Sequence, residues 1–357
     1  YDQGWHELRS RRAQGLVDMG ILPQLGPVKA IATTPDWNSL TGEAQAFESR
    51  GMAVYAGMVD AMDHHIGRLI AHVDAMGEMD NTVFIFLSDN GAEGSLATRS
   101  PTGGMSVVST PLRAWLWSKG FNTEFESLGE RDSYHDVGPA WASASVGPLA
   151  WYKFYAGEGG MRVPLVVSGQ VDGKPLAVAP GKVVHEFSWA TDVMATVLDL
   201  AGAVQPEEGI EGKSILPLLQ YQQSAAGTGL RSQDDVVGFE LGGLKVLFQW
   251  PYKLLYNRTG LTPDRWQLFN IEQDPGETTD LWQEMPDKSA ELLSLYRHWE
   301  QDNGVLPVAE DYNQRAEVFA KAFKNNPLVA VPFLSLFGLP LILLVAIGLL
   351  LRRWLRR

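Results

Sequence analysis

Cysteine is absent from this 357-residue sequence. No disulfide framework, thiolate metal site or cysteine nucleophile is therefore available within it, and cysteine usage gives no clue to the redox compartment. Positive charge is also in short supply, with 29 Lys and Arg against 42 Asp and Glu, for a net charge of −13. A broad surface for a phosphate backbone would need clustered cations, so nucleic acid is not expected as a partner. An anionic ligand would have to be met by a local cation. The chain opens on Tyr1, and nothing near it has the charged-then-apolar layout of a signal peptide, which reads as a cut N-terminus. No internal repeat is visible.

Hydrophobic residues are plentiful at 45%, enough for one large core domain and a smaller companion. Residues 328–351 run 24 positions without a charge and are followed by Arg352, Arg353, Arg356 and Arg357. A helix of that length extends about 36 Å, against a hydrocarbon core of about 30 Å, so the run predicts a membrane span. Pro332, Gly338 and Pro340 are compatible with it. The basic cluster at 352–357 predicts a cytoplasmic C-terminus, with the upstream domain periplasmic or extracellular. A sorting tail that is cleaved after delivery is the competing reading. Residues 302–327 are polar and read as a stalk.

Upstream, Met58, Met62, Ile66, Leu69, Ile70, Val73 and Met76 recur at helical spacing and predict an amphipathic helix over 41–76. A turn at Asp80-Asn81 leads into TVFIFL at 82–87, an apolar run of the kind buried on both faces of a parallel sheet. VPLVV at 163–167 predicts a second buried strand, and TDVMATVLDL at 191–200 a helix ended by Ala201-Gly202. The fold class is therefore a layered α/β domain over 1–225. Short runs at 244–249, 252–256 and 266–271 then predict a small antiparallel sheet with a closing helix, over 226–301.

Candidate chemistry gathers where the first strand stops, at Ser88-Asp89-Asn90-Gly91, the end at which open α/β sheets place their sites. Asp89 offers a charged oxygen and Asn90 a neutral one, the hard ligands that Ca²⁺ or Mg²⁺ takes. Asp-Asn-Gly alone is also a common turn. Lys153 stands among Trp151, Tyr152, Phe154 and Tyr155, where a partly desolvated ammonium could stabilise negative charge. A snorkelling surface lysine has the same signature. Arg162 follows Gly159-Gly160 and reads as a structural ion pair before a substrate contact. His185 stands ahead of a helix, where hydrogen bonding competes with a catalytic role. His64 and His65 have no metal-ligand partner at four-residue spacing, and Asp274-Pro275-Gly276-Glu277 reads as a capped turn.

Four segments in order, VFIFLSDNGAEG, YKFYAGEGGMRVP, TDVMATVLDLAGA and WQLFNIEQDPGETTDL, resemble the formylglycine-dependent arylsulfatases of the alkaline-phosphatase-like superfamily. The resemblance runs from YDQGWHELR at the start to about Tyr296. It implies a partial alkaline-phosphatase-like layered sheet and a sulfuric ester hydrolase of aryl or similar sulfates. It also implies that Asp89 and Asn90 bind calcium, with magnesium the less favoured ion, and that Lys153 contacts the sulfate group. His185 and Arg162 are weaker candidates for the site. With 7 histidines and no His directly following the Asp-Asn-Gly loop, the single-calcium pattern is favoured over a phosphoester or phosphonate hydrolase of the same superfamily.

The resemblance also implies a formylglycine made from the Cys or Ser of a (C/S)-x-(P/A)-(S/T)-R motif, in an N-terminal half expected to be missing here together with further calcium ligands. Ser95-Leu96-Ala97-Thr98-Arg99 matches the serine form in letters but follows the wrong strand, and is read as a coincidence. No nucleophile is assigned in this chain, and the piece alone is expected to be inactive. The remaining reading is a non-catalytic, membrane-anchored module.

Overall fold

The computed structural model describes residues 1–22, 24–96, 109–176, 181–203, 211–220, 230–232, 234–258 and 265–309, with isolated positions beyond. The helices are α1 (Gly4–Asp18), α2 (Gly42–Ala75), α3 (Ser109–Ser118), α4 (Gly138–Ser145), the one-turn α5 (Glu158–Met161), α6 (Asp192–Leu200), the one-turn α7 (Leu216–Leu219) and α8 (Pro286–Asp302). The strands are β1 (Val83–Leu87), β2 (Leu165–Val171), β3 (Lys174–Pro175), β4 (Val237–Leu241), β5 (Leu244–Gln249), β6 (Tyr252–Tyr256) and β7 (Trp266–Asn270).

α2 begins where Thr41 caps it, the threonine hydroxyl accepting from the Ala44 amide at 3.2 Å. Its first turns join α1 and α4 in an aromatic core in which Trp5, Trp37 and Trp141 meet edge to face, with centroids 4.7 to 5.8 Å apart. The rest of α2 runs out of this core. Met58, Met62 and Leu69, on the apolar face of the predicted amphipathic helix, are exposed.

Two further expectations need correction. β1 and β2 pair antiparallel, Val83 opposite Gly169 and Leu87 opposite Leu165, in a three-stranded sheet ordered β1-β2-β3. Nor are they buried on both faces: Phe86 and Leu87 are exposed on β1, and Leu165 and Val166 on β2. Apolar composition records what a strand is suited to bury. Its direction is set by the neighbour it finds.

The second sheet, β4-β5-β6-β7, is antiparallel throughout. Side-chain alternation gives it two covered faces. Leu247, Leu254 and Leu268 meet Leu292 and Tyr296 of α8, while Val246, Phe248, Leu255 and Phe269 form the other core with Ala156 from the α5 segment. That second face ties the small sheet to the candidate site. Among the described residues no helix is long and apolar enough to cross a membrane. The predicted span at 328–351 and the tail at 352–357 lie outside the described residues, as does half of the 302–327 stalk.

Candidate functional site

The segment after β1 and the segment before β2 lie against each other. The Gly91 amide donates to the Gly160 carbonyl at 3.0 Å, and the Lys153 amide donates to the Ala92 carbonyl at 3.0 Å. Glycine is required at this crossing: a Cβ on Gly91 would stand 1.9 Å from the Gly159 carbonyl oxygen. The 88–94 loop is also closed internally, with the Ser88 hydroxyl donating to the Asn90 carbonyl at 2.8 Å. Asp89 is exposed and Asn90 half-buried at the mouth of this loop.

Lys153 sits between two residues in left-handed backbone conformation, Trp151 at φ 63° and Phe154 at φ 77°. Bulky side chains adopt that region at a cost and hold it only where surrounding structure fixes them. Trp151 stacks on Tyr155 with centroids 4.5 Å apart, and the Tyr152 hydroxyl meets the Thr33 hydroxyl at 2.7 Å. The lysine is thus set on a fixed turn. Its Nζ lies 2.8 Å from Glu93 Oε2 and 5.3 Å from the centroid of the Phe154 ring.

Sequence reading missed Glu93. Partial burial pushes its carboxyl up, but hydrogen bonds from Lys153 and Ser95 outweigh this and hold it below the usual carboxylate range. The one available signal was its place three residues after Asn90, in the loop that faces Lys153.

Arg162 is partly exposed and lies 3.8 Å from Glu158, one turn earlier in the chain. His185 is exposed on the segment ahead of α6. Ser95 is exposed, and 97–99 of the serine-type motif lie outside the described residues. Beneath the site, Lys253 is fully buried on β6 with two carboxylates, Glu158 Oε1 at 2.9 Å and Glu277 Oε1 at 2.7 Å. The second contact is a close ion pair with poor hydrogen-bond alignment.

Asp89 and Asn90 fit a hard divalent cation by donor type: one carboxylate and one amide oxygen on consecutive residues beside a tight turn. They are two donors, where Ca²⁺ takes about six to eight. Among the described residues no group of three or more His, Asp or Glu could hold a metal ion. By themselves the two residues could make up only part of such a shell.

Residues 25–203 match the sulfatase family model. The chain belongs to the sulfatase family. It is 31% identical over 334 residues to an uncharacterized sulfatase of Schizosaccharomyces pombe, an alignment that covers 91% of this chain and 57% of the yeast protein. It is 30% identical over 226 residues to an arylsulfatase of Klebsiella aerogenes, covering 63% of this chain and 45% of the relative. A steryl-sulfatase of Mus musculus aligns at 25% identity, covering 67% of this chain and 35% of the mouse protein. The chain thus spans about half the length of the first two of these relatives. The site loops at 88–94 and 151–162 both fall within the family match.

Proposed function

We propose that this chain supplies the calcium-and-lysine side of an arylsulfatase site that hydrolyses aryl or similar sulfate esters. The nucleophile, a formylglycine, comes in this reading from polypeptide that the chain does not contain. The observation that carries it is the bonded loop pair, which sets the oxygen donors of Asp89 and Asn90 and the ammonium of Lys153 on facing turns.

A sulfate ester presents oxygens that gain negative charge as the ester bond breaks. Lys153 answers that charge with charge-assisted hydrogen bonds, exchanging the Glu93 carboxylate for a sulfate oxygen. Its fixed turn means that little reorganisation is needed at the moment of reaction. Asp89 and Asn90 would hold calcium, which when bound supplies further positive charge against the sulfate oxygens. The Phe154 ring, 5.3 Å from the Lys153 ammonium, adds a cation–π contact that helps hold the side chain in place. Outside the site, the uncharged 328–351 run supports a membrane anchor, with the α/β domain on the periplasmic or extracellular side.

The test is Ca²⁺-dependent hydrolysis of a chromogenic aryl sulfate by this chain alone and by the chain joined to upstream polypeptide bearing a (C/S)-x-(P/A)-S-R motif. Activity is expected only in the joined protein, with Asp89→Ala and Lys153→Ala each lowering kcat/KM at least a hundredfold. Cleavage of phosphate esters in preference to sulfate esters, or no turnover by either protein, overturns the proposal.

A further inference from the structure

Lys253 is the least expected side chain in the small sheet. The register places it between Phe248 and Phe269, on a strand whose other inner residues are leucines, and it is fully buried. Burying an ammonium is costly unless its charge and its protons are matched. Here two carboxylates from distant segments converge on it: Glu158, the first residue of α5, and Glu277, on the turn after β7. The Glu277 carboxylate reaches further, its Oε2 accepting from the Glu158 amide at 3.0 Å.

This cluster does not face the exposed mouth at Asp89. It grips the underside of the 157–162 turn. From Glu158 the path to the site is two residues long, since Gly160 provides the carbonyl that receives the Gly91 amide. The turn has no slack on its other side: a Cβ on Gly159 would lie 2.2 Å from the Trp151 carbonyl oxygen, and one on Gly160 would lie 2.1 Å from that of Tyr155. The Asn257 side chain, just past β6, adds a parallel tie by accepting from the Ala156 amide at 3.1 Å.

We propose that Lys253, Glu158 and Glu277 act as positioning residues, a buried ionic clamp through which the small sheet fixes the α5 turn and so holds the Asp89-Asn90 loop in register with Lys153. Their relevance to catalysis rests on the sulfatase reading above. The mechanical claim does not. Removing one carboxylate leaves Lys253 with one partner and a balanced charge, so single carboxylate variants cut one tie without stranding an ion. Truncating the core residue Leu254 on the same strand weakens the small sheet without touching the clamp.

The experiment is residue-resolved amide hydrogen exchange on the full chain for wild type, Glu158→Ala, Glu277→Ala and Leu254→Ala. Both carboxylate variants are expected to speed exchange at Gly91 and Lys153 at least tenfold while leaving Val246 and Leu255, in the sheet interior, within twofold of wild type. Leu254→Ala is expected to do the reverse. Glu158→Gln, which keeps an acceptor for Lys253, is expected to restore most of the protection that Glu158→Ala loses. The clamp is overturned if both carboxylate variants leave Gly91 and Lys153 within twofold of wild type, or if loop and sheet lose protection together. A wild-type Gly91 amide that exchanges at its unprotected rate overturns it as well. None of these readouts requires turnover, so an inactive protein leaves the result legible.

Discussion

Lys253 and its two carboxylates carry the sharpest consequences for stability at the level of single residues. Lys253→Met would leave Glu277 buried without a counter-charge and Glu158 with only the 3.8 Å contact to the partly exposed Arg162, a change expected to cost about 3–5 kcal/mol and to be readable as a large drop in melting temperature. The pH dependence has a definite sign. Burial, opposed by Lys253 and reinforced by Glu158, pushes the Glu277 carboxyl above the usual carboxylate range. A folded pKa raised in this way contributes stability that is full below about pH 4.3 and is lost as pH rises through the folded value. Glu277→Gln removes that titration, so its melting temperature should fall less between pH 4 and pH 7 than that of wild type; an equal fall refutes the assignment. For Lys253, burial lowers its affinity for the proton but the two carboxylates more than restore it, so its contribution is present up to about pH 10.4 and is lost above. None of this was legible in the sequence. A lysine in YKLLY reads as the outward position of an alternating strand, and Glu158 lies 95 residues away. Asp89 and Asn90 were legible as candidates because their loop directly follows an apolar run.

Elements were read from periodicity with uneven success. α2 and α6 fall within a residue of the helices expected at 41–76 and 191–200, because a long amphipathic repeat and the flanking Thr41 and Gly202 mark their ends. β5, β6 and β7 likewise occupy the three short runs. α1 and β4 were not read as elements, since neither has a clean apolar period. The antiparallel pairing of β1 with β2 was missed for another reason: strand direction depends on which neighbour is found, which composition does not encode. Two glycines allow a contrast at this scale. Gly91→Ala places a methyl 1.9 Å from a backbone oxygen, so the 88–94 loop must part from the α5 turn. A cost of about 1–3 kcal/mol is expected, with faster exchange at Lys153. Gly67, inside α2, has nothing within 4 Å of its Cβ position. Gly67→Ala should therefore stabilise by about 0.5–1 kcal/mol, as helix propensity requires. Equal melting temperatures for the two variants would show that the loop crossing is not tight.

At the scale of the whole molecule the distribution of apolar surface is the informative feature. Met58 is 66% exposed and Leu69 55% on α2, Val166 is 56% exposed on β2, and Met194 is 58% exposed on α6. Single exposed apolar side chains are ordinary, but several elements with uncovered apolar faces mark surfaces suited to a partner. β1 adds an unpaired edge among the described residues, a strand ready to accept another. Under the proposed function the occupant is the polypeptide that carries the nucleophile, whose helices and strands would cover α2 and extend the β1 sheet. The chain spans only 57% of the yeast relative and 45% of the bacterial one, which leaves ample length in those proteins for such a layer. Two measurements follow, light scattering after size exclusion and binding of a dye that reports exposed apolar surface. The chain alone should self-associate and bind dye, and joining the upstream polypeptide should give a monodisperse species that no longer binds it. Val166→Lys, which charges the uncovered face, should reduce self-association of the chain alone and weaken its pairing with that polypeptide supplied in trans. A chain that is monodisperse and dye-silent by itself, or a stable dimer that the upstream polypeptide does not disturb, would show that these faces are not where the sulfatase core is completed.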